Sequence, residues 1–237
     1  MTSPEPETLI QAMTAYMTKC MAGHDPSHNP AHVHRVVALS HRILEGEMAT
    51  DPDAQSKYDR TVVTLAATLH DIGDRKYLPL IANDERGFDP DRIVYRVLTS
   101  SGGADPTLAE RVQTVVSNVS YSNEIKNPAK VHDLISQEGY RELAIVQDAD
   151  RLDAIGAVGI ARTFTFLGAQ DSTRNGRGVT NDRPWGLGES IEHFGDKLEK
   201  LEGMMKTHTG RQMARERTRR LGEFKKWWFE ETVSLRS

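Results

Sequence analysis

The stretch Thr64-Leu-Ala-Ala-Thr-Leu-His70-Asp71-Ile-Gly73 decides the fold. An imidazole and a carboxylate sit side by side at the end of an apolar run. Over 58–72 the spacing predicts a core helix, with Val63, Ala66 and His70 on one face and Gly73 loosening or ending it. Burying a carboxylate among apolar residues is costly unless positive charge compensates it. A divalent cation would compensate it and use the imidazole as well. Two further runs supply donors: His28-Asn-Pro-Ala-His32-Val-His-Arg35-Val36 upstream, and Val146-Gln-Asp148-Ala-Asp150-Arg-Leu-Asp153-Ala154 downstream.

Each run reads as helix. From His32 the apolar positions Val36, Leu39 and Ile43 follow at i+4, i+7 and i+11, so His32 faces inward while His34 and His41 face solvent. Asn29 suits an N-cap and Pro30 the first turn. Shorter helices are expected over 93–98 and 108–119, the latter with Val112, Val115, Val116 and Val119 at helical spacing. A long helix is expected over 141–167, with Asp150, Ala154, Ala157 and Ala161 on one face. Asp148 and Asp150 lie about 200° apart on a regular helix, and the alanines place Asp150 on the inward side. Gly156 and Gly159 cost helix propensity, which points to something packed closely against them.

Residues 168–189 read as a long polar loop of the kind that often forms a lid. Ser190 suits the N-cap of a helix with Phe194, Leu198, Leu201 and Met205 on one face. A last helix covers about 211–233, with Leu221, Phe224 and Trp228 inward. No strand is predicted. The expected fold class is all-α, a helical bundle in which residues 1–19 form an N-terminal helix or extension and 20–237 one domain. Within that domain the core spans about 24–167, the loop 168–189 and the C-terminal helices 190–234.

Bulk properties exclude several classes. The net charge of −4 disfavours a protein built to coat a nucleic-acid polymer. The basic segment Arg211 to Arg220 is interleaved with Glu216 and followed by Glu223, so it reads as a solvated helix face. Cys20 stands alone, which rules out an internal disulfide and a cysteine-based zinc site. With no signal-like or spanning segment, cytoplasm is expected and a membrane partner is not.

A His, then a His-Asp pair, then a distant Asp is the ligand order of the HD superfamily of metal-dependent phosphohydrolases, which this chain resembles. The run Val146 to Phe164, the later Ser190-Ile-Glu-His193-Phe194 with Lys197, Leu198, Leu201 and Met205, and the early Ser27-His28 with His32 and Arg35-Val36 are similar to the YedJ-like branch. The resemblance covers roughly 20–231 and implies an all-α HD-domain fold with one divalent metal ion. Its ligands would be His32, His70, Asp71 and Asp150, the last because the family uses the Asp of an Ala-Asp-x-Leu run. Manganese, iron, cobalt or nickel suits two imidazoles better than magnesium does. One run departs from the pattern. Where bacterial relatives carry His-Ser-aromatic-Ser, this chain has Val119-Ser-Tyr-Ser122, so a substrate contact is expected to differ there.

The resemblance extends to the reaction. Asp74, three residues after Asp71, matches an acid that orients or deprotonates the attacking water in a related branch. Arg35 and Lys76 are the first choices for holding phosphate. His28, Asp148, Arg151, Asp153 and His193 are candidates for substrate contact or for orienting a ligand. The expected activity is hydrolysis of a phosphate ester or anhydride of a small metabolite, a nucleotide first, by a monomer or homodimer. Two alternatives stand beside it: an iron oxygenase of the same superfamily, and a metal-stabilised binding or sensor module without turnover. The oxygenase needs extra histidines between Asp71 and Asp150, where His132 is the only one.

Overall fold

Side-chain caps start the helices that carry the candidate site. In the computed structural model, which describes residues 4–22, 29–51, 53, 56–72, 89–176 and 187–233, the Asn29 side chain accepts the N–H groups of Ala31 and His32 at 3.0 and 3.4 Å. This starts helix α2 (Pro30–Thr50), with Pro30 in its first turn. Asp59 accepts from Thr61 and Val62 to start α3 (Arg60–Leu69). Around these two lie α1 (Pro6–Met21), α4 (Ile93–Arg96) running into a π-helical turn over Val97–Ser101, α5 (Pro106–Ser117), α6 (Tyr121–Lys126) and α7 (Pro128–Ser136). Then follow α8 (Glu142–Asp153), α9 (Gly156–Gly176), α10 (Leu187–Asp196), a 3₁₀ stretch over Leu198–Met204, and α11 (His208–Val233). The fold is the expected all-α bundle, with no strand among the described residues.

Helix α3 is the axis. Every residue from Val62 to Leu69 is buried, because α1, α2, α5 and α8 all pack on it. Its burial is all-round rather than a single stripe, and each fully buried aliphatic side chain there is worth about 1.5–3 kcal/mol. Residues 6–21 add Leu9, Met13, Met17 and Met21 to the same core. Helix α2 lies against both α3 and α8, which corrects the reading of His41 as a solvent residue: it is half-buried, with Nε2 2.8 Å from Thr64 Oγ1. His34 is exposed, as expected.

The long helix expected over 141–167 is two helices. Gly156 adopts φ +73, a left-handed conformation that side chains resist, and the chain turns there between α8 and α9. At Gly159 a Cβ would lie 2.2 Å from the Ala154 carbonyl oxygen, so the close packing that these glycines imply is the turn itself. Because of the break, Ala157 and Ala161 are exposed and do not share the face of Asp150. The loop expected over 168–189 is also corrected: 168–176 continue α9, 187–189 begin α10, and 177–186 lie outside the described residues. Ser190 is a buried residue inside α10 rather than a cap, and the chain then turns 3₁₀, yet Phe194, Leu198, Leu201 and Met205 are buried as read. Helix α11 starts at His208 rather than Arg211, since Asp148 accepts the backbone N–H groups of Lys206 and Thr207 just before it. On its outer face Glu216 pairs with Arg219 and Arg220, a solvated surface.

Candidate metal centre

The bundle brings His32, His70 and Asp71 to one point, with Asp150 beside the two histidines. His32 stands in the first turn of α2, His70 ends α3 with Asp71 following it, and Asp150 lies on α8. His32 Nε2 is 3.3 Å from His70 Nε2, 3.4 Å from Asp71 Oδ2 and 3.6 Å from Asp150 Oδ1. His70 Nε2 is 3.4 Å from Asp71 Oδ2 and 3.8 Å from Asp150 Oδ1. Bonds of about 2.0–2.2 Å to a divalent ion put neighbouring donors roughly 3.0–3.5 Å apart, close to these separations. His32, His70 and Asp71 therefore form a group suited to hold a metal ion, with both histidines buried and Asp71 partly so.

The outer nitrogens of the histidines fix what the inner ones offer. His70 Nδ1 lies 2.8 Å from the Ala67 carbonyl oxygen, which can only accept, so Nδ1 carries the proton and Nε2 presents a lone pair. His32 Nδ1 lies 2.7 Å from Asp153 Oδ2 and donates to it in the same way. Two imidazole lone pairs and two carboxylates thus converge. Without a positive charge among them they repel, and a proton or a metal ion relieves this. Burial lowers the pKa of His32, but hydrogen bonds to Asp153 and Asp71 outweigh it and push it up to about 9. The nitrogen and oxygen donors of the cluster could hold a divalent metal.

Asp153 is the hub behind His32. Its buried carboxylate receives Arg35 through Nε at 2.7 Å and Nη2 at 3.0 Å, and Arg162 Nη1 at 2.9 Å. Burial raises its pKa, but the bonds to His32 and Arg35 and the charge of Arg162 hold it well below the usual carboxylate range. Arg35 is thus turned to Asp153 by two of its nitrogens. Asp148 is turned away from the ligands: it binds Lys206 N, Thr207 N and Thr207 Oγ1, and so secures the start of α11. Arg151 is buried against Glu124 and the Met204 carbonyl. His193 is half-buried on α10, and burial lowers its pKa. His28, Asp74 and Lys76 lie outside the described residues. Arg162 was missed in the sequence, where its only signal is that it follows the glycine pair by less than one helical turn.

The fold is shared with a solved HD-superfamily hydrolase, and the chain belongs to the family of the relative YpgQ. No protein-family model matches the chain. The uncharacterised protein YpgQ of Bacillus subtilis is 33% identical over 207 residues, 87% of this chain and 85% of its own. The crystal structure of YpgQ in complex with ADP superposes with a TM-score of 0.65 at 29% identity, covering 94% of this chain and 97% of that one. An HD-superfamily hydrolase of Bacillus thuringiensis shares the fold, with a TM-score of 0.62 at 24% identity over 96% of this chain and 98% of that one. No helix among the described residues is long and apolar enough to cross a membrane.

Proposed function

We propose that the chain is a metal-dependent phosphohydrolase that cleaves a phosphate ester or anhydride of a small metabolite, with a nucleotide as substrate. The observation that carries this reading is the convergence of His32 Nε2, His70 Nε2, Asp71 Oδ2 and Asp150 Oδ1 within 3.8 Å of one another for every pair that includes a histidine. ADP in the YpgQ crystal structure supports the nucleotide. The YedJ-like branch remains our placement within the superfamily.

His32, His70, Asp71 and Asp150 would hold one divalent ion, manganese, iron, cobalt or nickel before magnesium. The ion supplies Lewis acidity toward a phosphoryl oxygen and toward water. Asp74 takes the proton from the attacking water, and Lys76 offsets charge on the phosphoryl oxygens. Arg35, with Nε and Nη2 on Asp153, contributes first by holding the partner of His32. An iron oxygenase with a second metal finds no support in His132, which is exposed beside Asp133 and Ser136.

The test uses metal-stripped protein resupplied with manganese, cobalt, nickel, iron or magnesium, and measures phosphate release from nucleotides and sugar phosphates. Release is expected only with metal, and Asp71→Ala abolishes it. Stoichiometric metal binding with no product from any substrate would instead favour the sensor reading.

A further inference from the structure

Asp153 is held by more cations than its single charge requires. Its side chain is 1% exposed, and two guanidinium groups and an imidazole share it. We infer that Arg162 is a positioning residue for the metal centre: by gripping Asp153 Oδ2 it fixes the oxygen to which His32 Nδ1 donates, and so fixes the direction of His32 Nε2. The inference rests on the metal-centre reading above and goes beyond it.

Three observations carry it. First, Arg162 Nη1 binds the same oxygen as His32 Nδ1, at 2.9 and 2.7 Å, and Arg35 Nη2 joins them there at 3.0 Å. Arg162 therefore shares in setting the position of that atom and does more than neutralise a buried charge. Second, Arg35 grips the carboxylate from α2, the helix that also carries His32, so it moves with the histidine. Arg162 comes from α9 and supplies a point of reference outside α2 and α8. Third, the left-handed turn at Gly156 and the contact at Gly159, where a Cβ would lie 2.2 Å from the Ala154 carbonyl oxygen, bring the start of α9 close to the end of α8. That close turn lies between Arg162 on α9 and Asp153, the last residue of α8. The glycine pair and Arg162 are thus parts of one device, which aims a ligand histidine through its carboxylate partner.

The experiment is a cobalt(II) titration of the metal-stripped full chain, read by the visible absorption of the bound ion, which reports its coordination. Wild type, Arg162→Met and Arg162→Lys are compared, with far-UV circular dichroism as the check on folding. Removing a group that orients a metal ligand typically weakens metal binding about 10–100-fold. Arg162→Met is expected to bind cobalt at least about tenfold more weakly than wild type, with an altered absorption band. Arg162→Lys, which keeps the charge and a donor, recovers most of the affinity and the band. A merely structural role would lower the melting temperature and leave both unchanged in the folded protein. Folded Arg162→Met with wild-type affinity and band overturns the inference. If Arg162→Met does not fold, Arg162→Gln takes its place with the same two outcomes. Wild type that binds no cobalt would overturn the metal-centre reading itself, and this inference with it.

Discussion

At His32 a proton and a metal ion compete for one nitrogen. In the metal-free protein its pKa stands at about 9 against an ordinary 6.5. The protonated imidazole therefore stabilises the fold fully below pH 6.5, and this contribution is lost as pH rises through about 9. Metal binding needs the neutral ring, so its pH dependence runs the other way. Manganese affinity measured by calorimetry is expected to tighten about tenfold per pH unit from 6.5 towards 9, as one proton is displaced. An affinity that stays flat over that range would mean that His32 does not bind the ion. At this scale the clustering of the candidate ligands was the legible part. Histidine and aspartate have few reasons to stand on apolar helical faces, and His32, His70, Asp71 and Asp150 do so in three separate runs. Arg162 and Arg35 were not legible in the same way, because an arginine that grips a buried carboxylate has the same sequence pattern as one in solvent. The arginine at 35 was read as a phosphate contact because it lies one turn after His32, close to the site face.

The elements were legible wherever a cap or a one-sided stripe announced them, as Asn29-Pro30 does for α2. They were not where packing overrode the pattern. Apolar periodicity runs through Ile155 and across the α8–α9 break, and only the positive φ of Gly156 shows that the chain turns there. The glycines carry the information, but a helix-forming count spreads their cost over a long window. The same turn makes a prediction about Gly159. The atom that its Cβ would strike is a backbone carbonyl oxygen, which cannot swing aside as a side chain can. Gly159→Ala is expected to destabilise the protein by about 3 kcal/mol or more, the upper range for overpacking. It also weakens metal binding, by moving Arg162. Urea denaturation and cobalt titration check the two effects, and a variant of wild-type stability would show that the turn relaxes freely. Asp148→Ala tests the start of α11. It strands the N–H groups of Lys206 and Thr207, which the carboxylate now accepts at 2.8–3.1 Å, so a loss of about 3 kcal/mol is expected with cobalt affinity retained.

On the scale of the whole molecule, the helices that carry the proposed metal ligands also hold the last helix. Asp148 of α8 secures the residues before α11, and Glu47 of α2 accepts the Thr209 N–H at 2.7 Å. Arg217 of α11 reaches back to the Leu152 carbonyl oxygen at the end of α8. A ligand that binds only the folded site stabilises everything that unfolds with that site. Manganese at about 100 times its Kd is worth about 2.7 kcal/mol, which for a chain of this size raises Tm by roughly 5–10 °C. Two of the three tryptophans, Trp227 and Trp228, lie on α11, and Trp228 packs on Phe164 of α9 with ring centroids 6.5 Å apart. Tryptophan fluorescence and far-UV circular dichroism are therefore expected to give one coincident transition, displaced equally by manganese. Asp71→Ala removes the displacement from both signals. A shift in circular dichroism that leaves the fluorescence transition in place would mean that α11 melts on its own, and that Asp148, Glu47 and Arg217 dock it without coupling it to the metal centre.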